Sequence, residues 1–267
     1  MPQITHTVMA ILNVTPDSFY APSRADRDSL DGRVEQLIDE GADVIDVGGF
    51  STRPGASEVD VLQETARVVM GVEAVRRHDA AMPVSIDTFR AAVAEAVLSR
   101  FDGVTVNDIS AGEDDPEMIA VVARYGAPFV AMHKRGTPQT MQRMTHYDNV
   151  VEEVRGYLVR RAEQLHGAGI RRVILDPGFG FAKTVDQNFE LLSGLDRITS
   201  IGLPVLVGIS RKSFICKILN ISPEEALAPT QVLHWECLQR GASILRTHDT
   251  RATRQTIALF EKSLHYE

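Results

Sequence analysis

Cysteine is nearly absent from this chain, with only Cys216 and Cys237 in 267 residues. Neither falls in a CxxC spacing, so a disulfide framework and a cysteine-based metal knot are both excluded, and the two thiols are expected to be reduced core residues. Long apolar runs are missing too. No stretch approaches the ~20 residues a membrane helix needs, and the opening MPQITHTVMAIL places no basic segment ahead of its apolar run. A cytoplasmic protein without a membrane span is the expectation. Positive charge is in deficit, with 28 Lys and Arg against 36 Asp and Glu and a formal net charge of −8. That argues against a general nucleic-acid binder, while leaving room for a local basic pocket that attracts an anion. Neither GxGxxG nor GxxxxGK[ST] occurs, so a phosphate here would be held by side chains and not by a glycine-rich loop. No Ser/Gly-rich tract, low-complexity run or block of like charge marks a linker. Residues 1–267 are therefore predicted to form a single domain, and at 44% hydrophobic they can bury one large core.

What the chain does contain is alternation. Eight short β-branched apolar runs appear in order: HTVMAIL, ADVIDV, MPVSI, GVTVN, APFVAM, RRVILD, LPVLVG and ASILR. Between them lie helical patterns such as SLDGRVEQLIDEG, DVLQETARVVMGVEAVRRH, FRAAVAEAVLSR and VVEEVRGYLVRRAEQLHGAG, several with glycine near the end. The count predicts an α/β fold of the TIM type, a (β/α)8 barrel of eight parallel strands with outer helices. In such a barrel the active site lies at the C-terminal ends of the strands.

Those ends are mostly polar. The runs close at Asn13, Asp46, Asp87, Asn107, Met132-His133 and Asp176, the seventh is followed by Arg211-Lys212, and the eighth by Arg246 and His248. Each position also has a purely structural use. Asp87 or Thr88 could cap the third helix, Asn107-Asp108 and Asp176-Pro177-Gly178 could be turns, and Asp249 could cap the last helix. As a set they are harder to explain this way, since caps and turns do not require acids and amides on one half of a rim and cations on the other. Carboxylates and an amide at the barrel floor suit a flat heterocycle edged with N–H donors, such as a pterin or a purine-like ring. Arg53, Lys212, Arg246 and His248 near the mouth suit phosphate oxygens or another anion, although a lone lysine or arginine is more often a solvated surface charge.

Seven motifs carry a resemblance that spans the chain: MAILNVTPDSF, GGFSTRPGA, SIDT, VNDIS, DPGFGF, GISRKSF and LRTHD. In this order they resemble the dihydropteroate synthase family. The resemblance implies a transferase that joins hydroxymethyl-dihydropterin diphosphate to p-aminobenzoate in folate biosynthesis and releases pyrophosphate, by a dissociative route through a pterin cation. It further implies Mg2+ as cofactor, sulfonamides as competitors and a homodimer. By position, Asp87, Asn107, Met132, Asp176, Phe181, Gly208, Lys212 and Arg246 resemble the pterin set. Asn13, Thr52, Arg53, Arg246 and His248 resemble the diphosphate set, and Phe19, Thr52, Pro54, Lys212 and Ser213 the aminobenzoate side. The catalytic group would be Asn13, Arg53, Lys212, Arg246 and His248, with Asp46 behind the floor and Asn13 and Asp17 toward the metal.

Three positions depart from the common family pattern. Ala21 stands where an acid can help hold Mg2+, Phe50 replaces a frequent Glu, and MHKRG replaces a more usual Gln-Gly ending. Two rivals follow. A barrel methyltransferase serving a corrinoid protein would share the acidic floor but has no need of SRKSF or the Arg-His pair, and a non-catalytic pterin binder would fit the loss at Ala21.

Overall fold

The computed structural model describes residues 6–14, 24–50, 59–137 and 140–264. The strands are β1 Thr7–Asn13, β2 Val44–Gly48, β3 Val84–Asp87, β4 Val104–Asp108, β5 Phe129–Met132, β6 Val173–Asp176, β7 Leu206–Val207 and β8 Ile244–Thr247. The helices are α1 Arg24–Asp39, α2 Val61–His78, α3 Ala91–Leu98, α4 Met118–Tyr125, α5 Val150–Gly167, α6 Val185–Ser193, α7 Leu195–Thr199, α8 Ser213–Leu219, α9 Leu227–Gln239 and α10 Thr250–Ser263. All eight apolar runs contribute a strand to one parallel sheet ordered β6-β5-β4-β3-β2-β1-β8-β7. A parallel bridge between Leu175 and Val205 brings its two ends together. The expected barrel is thus present, with helices between the strands.

The seventh strand is shorter than LPVLVG suggests. Pro204 has no N–H to give to a ladder, and it joins the closure only as acceptor, taking the Leu175 N–H at 2.9 Å. Local chemistry sets the helix starts. Asp60 caps α2 by accepting from Gln63 N, and Arg76, Arg77 and His78 meet the negative end of the helix dipole. Thr184 and Gln187 form a reciprocal capping box on α6.

Strand parity divides the core in two. On β1, Val8, Ala10 and Leu12 join the large cluster beneath the helices, which includes Val68, Val72 and Val75 of α2. Met9 takes the other face and meets Val130, Leu206 and Ile244 in a small separate cluster, with Val44 and Ile174 against it. That second cluster plugs the barrel interior. Continuing upward with the same period of two, the inward positions become Asp46, Asn107, Met132, Asp176, Gly208 and Arg246. Register brings Asp87 to the same level, opposite Gly48 on one side and Asn107 on the other.

Candidate active site

Arg246 of β8 reaches across the barrel to two carboxylates. Its Nε donates to Asp46 Oδ2 and its Nη2 to Asp87 Oδ2, each at 2.7 Å, while Asn107 Nδ2 donates to the same Asp46 oxygen at 3.1 Å. Four strands therefore supply one hydrogen-bonded floor. Burial opposes the charge on Arg246, but Asp46 and Asp87 outweigh it and hold the guanidinium protonated. Asp46 has no exposed surface, and its second oxygen, Oδ1, has no partner among the described residues. Asp87 is pushed up to about 7 by burial, against the pull of Arg246.

The β6 end forms the adjoining wall. Asp176 Oδ1 accepts from Gly178 N at 2.7 Å, and burial raises its pKa against the attraction of Lys212. Gly178 has φ 70°, and a Cβ there would lie 1.9 Å from the His133 carbonyl oxygen, so the turn needs glycine for conformation and for space. Lys212 Nζ donates to the Phe179 carbonyl and sits 4.4 Å from the centre of the Phe181 ring. Its pKa is lowered to about 8 by burial, with Asp176 opposing the shift. Ser213 follows as the first residue of α8. It helps line a cavity of about 270 Å³ together with Gly180, Thr184, Asn188 and Lys217.

The structure also separates the site residues from the scaffold. The α3 N-cap, Arg90, makes no side-chain cap bond; Thr88 Oγ1 accepts from Arg90 N at 3.2 Å and Asp115 Oδ2 from Ala91 N at 2.8 Å. Asp87 is thereby left facing the barrel. After β4 it is Asp108 that builds the turn, accepting from Ser110 N and Gly112 N at 2.7 Å, while Asn107 points to Asp46. Asp176 does both jobs. Asp249 caps nothing with its side chain and instead forms a two-armed pair with Arg211 at 2.7 and 2.8 Å, so Arg211 is anchored to the scaffold.

Further candidates among the described residues are Met132, Gly208, Asn13 and His248. Met132 is buried and lies in register with Asp176, and Gly208 leaves room beside the Arg246 side chain. Asn13 Oδ1 and Asp87 both border the space above Gly48, at the barrel mouth. His248 contacts Ser210 Oγ through Nδ1 at 3.1 Å and through its backbone N–H at 3.2 Å. Arg246 differs from the expectation of a cation at the mouth: the guanidinium is in the floor, spanning two acids. Asp17, Phe19, Ala21, Thr52, Arg53 and Pro54 lie outside the described residues. Phe50 packs edge-on against Phe89 at 5.6 Å, with the Arg90 guanidinium 5.3 Å from its centre. Sequence reasoning missed Lys183 and Ser210, since neither closes a strand; the only available signal for Lys183 was its place two residues after Phe181 in the DPGFGF loop.

A barrel whose floor offers buried acids and an amide to a ring, beside a lysine and an arginine, has the character of a pterin-binding enzyme, and residues 9–248 match the family described as pterin binding enzyme. The dihydropteroate synthase of Synechocystis sp. is 42% identical over 254 residues, 93% of this chain and 86% of that protein. Dihydropteroate synthase of Yersinia pestis, solved in a sulfonamide drug complex, superposes with a TM-score of 0.89 at 34% identity, covering 98% of this chain and 95% of the other. That of Xanthomonas albilineans, solved with 7,8-dihydropteroate, gives 0.85 at 35% identity over 97% and 94%. The chain belongs to the dihydropteroate synthase family.

Proposed function

We propose that this enzyme condenses hydroxymethyl-dihydropterin diphosphate with p-aminobenzoate, giving dihydropteroate and pyrophosphate in folate biosynthesis. The observation that carries the reading is the Arg246-bridged floor of Asp46, Asp87 and Asn107 facing the Asp176–Lys212 wall. Asp87, Asn107 and Asp176 accept from or donate to the pterin edge, Met132 and Phe181 bound its faces, and Gly208 leaves space beside it. Asp46 acts from behind, by orienting Arg246 and Asn107.

No strong base is needed. The aromatic amine is neutral at pH 7 and already carries its lone pair. In the step proposed, the C–O bond to the diphosphate breaks with its electron pair leaving on pyrophosphate, the amine nitrogen forms the C–N bond, and its surplus proton passes to solvent or the released anion. Asn13, Thr52, Arg53 and His248 are assigned to the diphosphate, with Arg246 steering from the floor. A preorganised donor at such a developing charge is commonly worth about 3–4 kcal/mol in the barrier. Phe19, Thr52, Pro54, Lys212 and Ser213 are assigned to the aminobenzoate, a site that sulfonamides would contest.

Mg2+ is proposed as the accompanying ion, held by Asn13 and Asp17. Among the described residues no group of three His, Cys, Asp or Glu side chains is placed to bind a metal. The amide oxygen of Asn13 is a suitable hard ligand but one donor is far from an octahedral shell, so Asp17, the substrate diphosphate and water would complete it. When bound, the ion would neutralise charge on the leaving pyrophosphate. A symmetric homodimer in the cytoplasm completes the reading. In support, no helix among the described residues is long and apolar enough to cross a membrane, and Val232 and Leu259 are exposed on the neighbouring helices α9 and α10.

The decisive experiment incubates protein, pterin diphosphate, p-aminobenzoate and Mg2+ and follows dihydropteroate and pyrophosphate together. Both should appear in equal amounts, and excess chelator with metal-free substrate should slow their formation. Pterin binding without either product would mean a non-catalytic binder.

A further inference from the structure

Lys183 lies behind the β6 wall, 5% exposed, in the loop that leads into α6. Its ammonium donates to the Gly178 carbonyl at 2.8 Å and the Phe181 carbonyl at 3.0 Å, and lies 3.2 Å from His133 Nδ1. Three donors thus meet three neutral acceptors. Among the described residues it forms no ion pair; burial and the nearby Lys212 lower its pKa to about 7, with Asp176 opposing the shift. A buried lysine without a contacting carboxylate is unfavourable for stability alone, since an apolar side chain of the same length would avoid the loss of hydration. The arrangement calls for another reason.

That reason is in the loop it grips. Residues 178–182 contain three positive-φ positions, Gly178, Gly180 and Ala182, so the segment turns sharply and its peptides face in different directions. The carbonyls of Gly178 and Phe181 face Lys183, whereas the carbonyl of Phe179 faces Lys212. Two lysines hold one loop from opposite sides. Burial, aided by Lys183 and Arg135, keeps His133 neutral, which lets Nδ1 accept from Lys183 and joins the loop to the end of β5 next to Met132.

Resting on the reading above, we propose that Lys183 is a positioning residue for pterin transfer: by clamping Gly178 O, Phe181 O and the His133 ring, it sets the loop that places Asp176, Phe181 and the Phe179 carbonyl around Lys212. The work is done by donated hydrogen bonds. A neutral side chain with an N–H2 group should therefore replace it in part, and an apolar one should not.

The test compares wild type, Lys183→Met and Lys183→Gln. Affinity for 7,8-dihydropteroate is measured by calorimetry on the folded fraction, beside turnover with pterin diphosphate and p-aminobenzoate. Loss of about two net hydrogen bonds predicts at least a tenfold weaker complex for Lys183→Met, with Lys183→Gln within about threefold of wild type. Wild-type affinity and kcat in Lys183→Met would overturn the proposal, as would equal losses in Met and Gln variants. Should Lys183→Met not fold, His133→Leu removes one acceptor from outside the loop; a severalfold loss of affinity supports the clamp and unchanged affinity rejects it. Failure of the functional reading looks different, because wild type itself would then make no dihydropteroate.

Discussion

Arg246→Met removes the guanidinium that bridges Asp46 and Asp87 while keeping most of the side chain's length. Its partners' side chains are 0% and 25% exposed, and its own is 22% exposed, so solvent can take over little of the lost interaction. Among the described residues Asp46 would keep only the Asn107 amide at 3.1 Å, with Oδ1 still without a partner. Stranding a buried charge in this way costs about 3–5 kcal/mol. For a chain of this length 1 kcal/mol moves Tm by about 2 °C, so the expected fall is roughly 6–10 °C. The measurement is urea and thermal unfolding at pH 8, above the value of about 7 that Asp87 has beside Arg246, followed by circular dichroism and by the fluorescence of the single tryptophan, Trp235. Coincident transitions justify a two-state treatment. Adding Asp46→Asn removes the stranded charge, and the double variant should recover about half of the loss or more. A single-variant loss below about 1 kcal/mol would refute this account of the floor, as would a double variant less stable than the sum of its parts.

Asp87→Asn or Asp176→Asn should weaken pterin binding by about 1–3 kcal/mol, roughly 5- to 150-fold, because ring N–H groups lose an acceptor; titration of each variant checks it, and a change under twofold in both would remove them from the pterin site. Lys212→Met should weaken both substrates yet leave stability at pH 7 equal or higher. Its folded pKa of about 8 lies below the 10.5 of the free side chain, so the unfolded chain binds its proton more readily and folding gains from losing it. Affinity for pterin should rise as pH climbs through about 7, where Asp87 ionises, and fall above about 8, where Lys212 loses its charge. The ligand-free protein carries the opposite sign for Asp87: with its pKa raised from 3.8, its contribution to stability is complete below about 4 and is lost as pH rises through about 7, which unfolding at pH 5 and 8 measures in wild type against Asp87→Asn.

The sequence by itself determined the barrel and the level at which its chemistry would sit. Alternation of short apolar runs with helical patterns is a local property, and strand parity then carries Asp46, Asn107 and Asp176 to the interior without any knowledge of contacts. It also marked the polar strand ends, although it could not separate scaffold from site: Asp87 from Thr88, or Asn107 from Asp108. That division depends on which atoms meet across 24 to 159 residues, as when Asp115 serves α3 and leaves Asp87 to Arg246. Tertiary structure alone decided that Arg246 belongs to the floor and Arg211 to the scaffold, because the acids that each one meets come from distant parts of the chain, Asp46 for Arg246 and Asp249 for Arg211. Lys183 was illegible for the same reason. A buried lysine and a surface lysine are written with the same letter, and only the folded loop shows which carbonyls surround the ammonium.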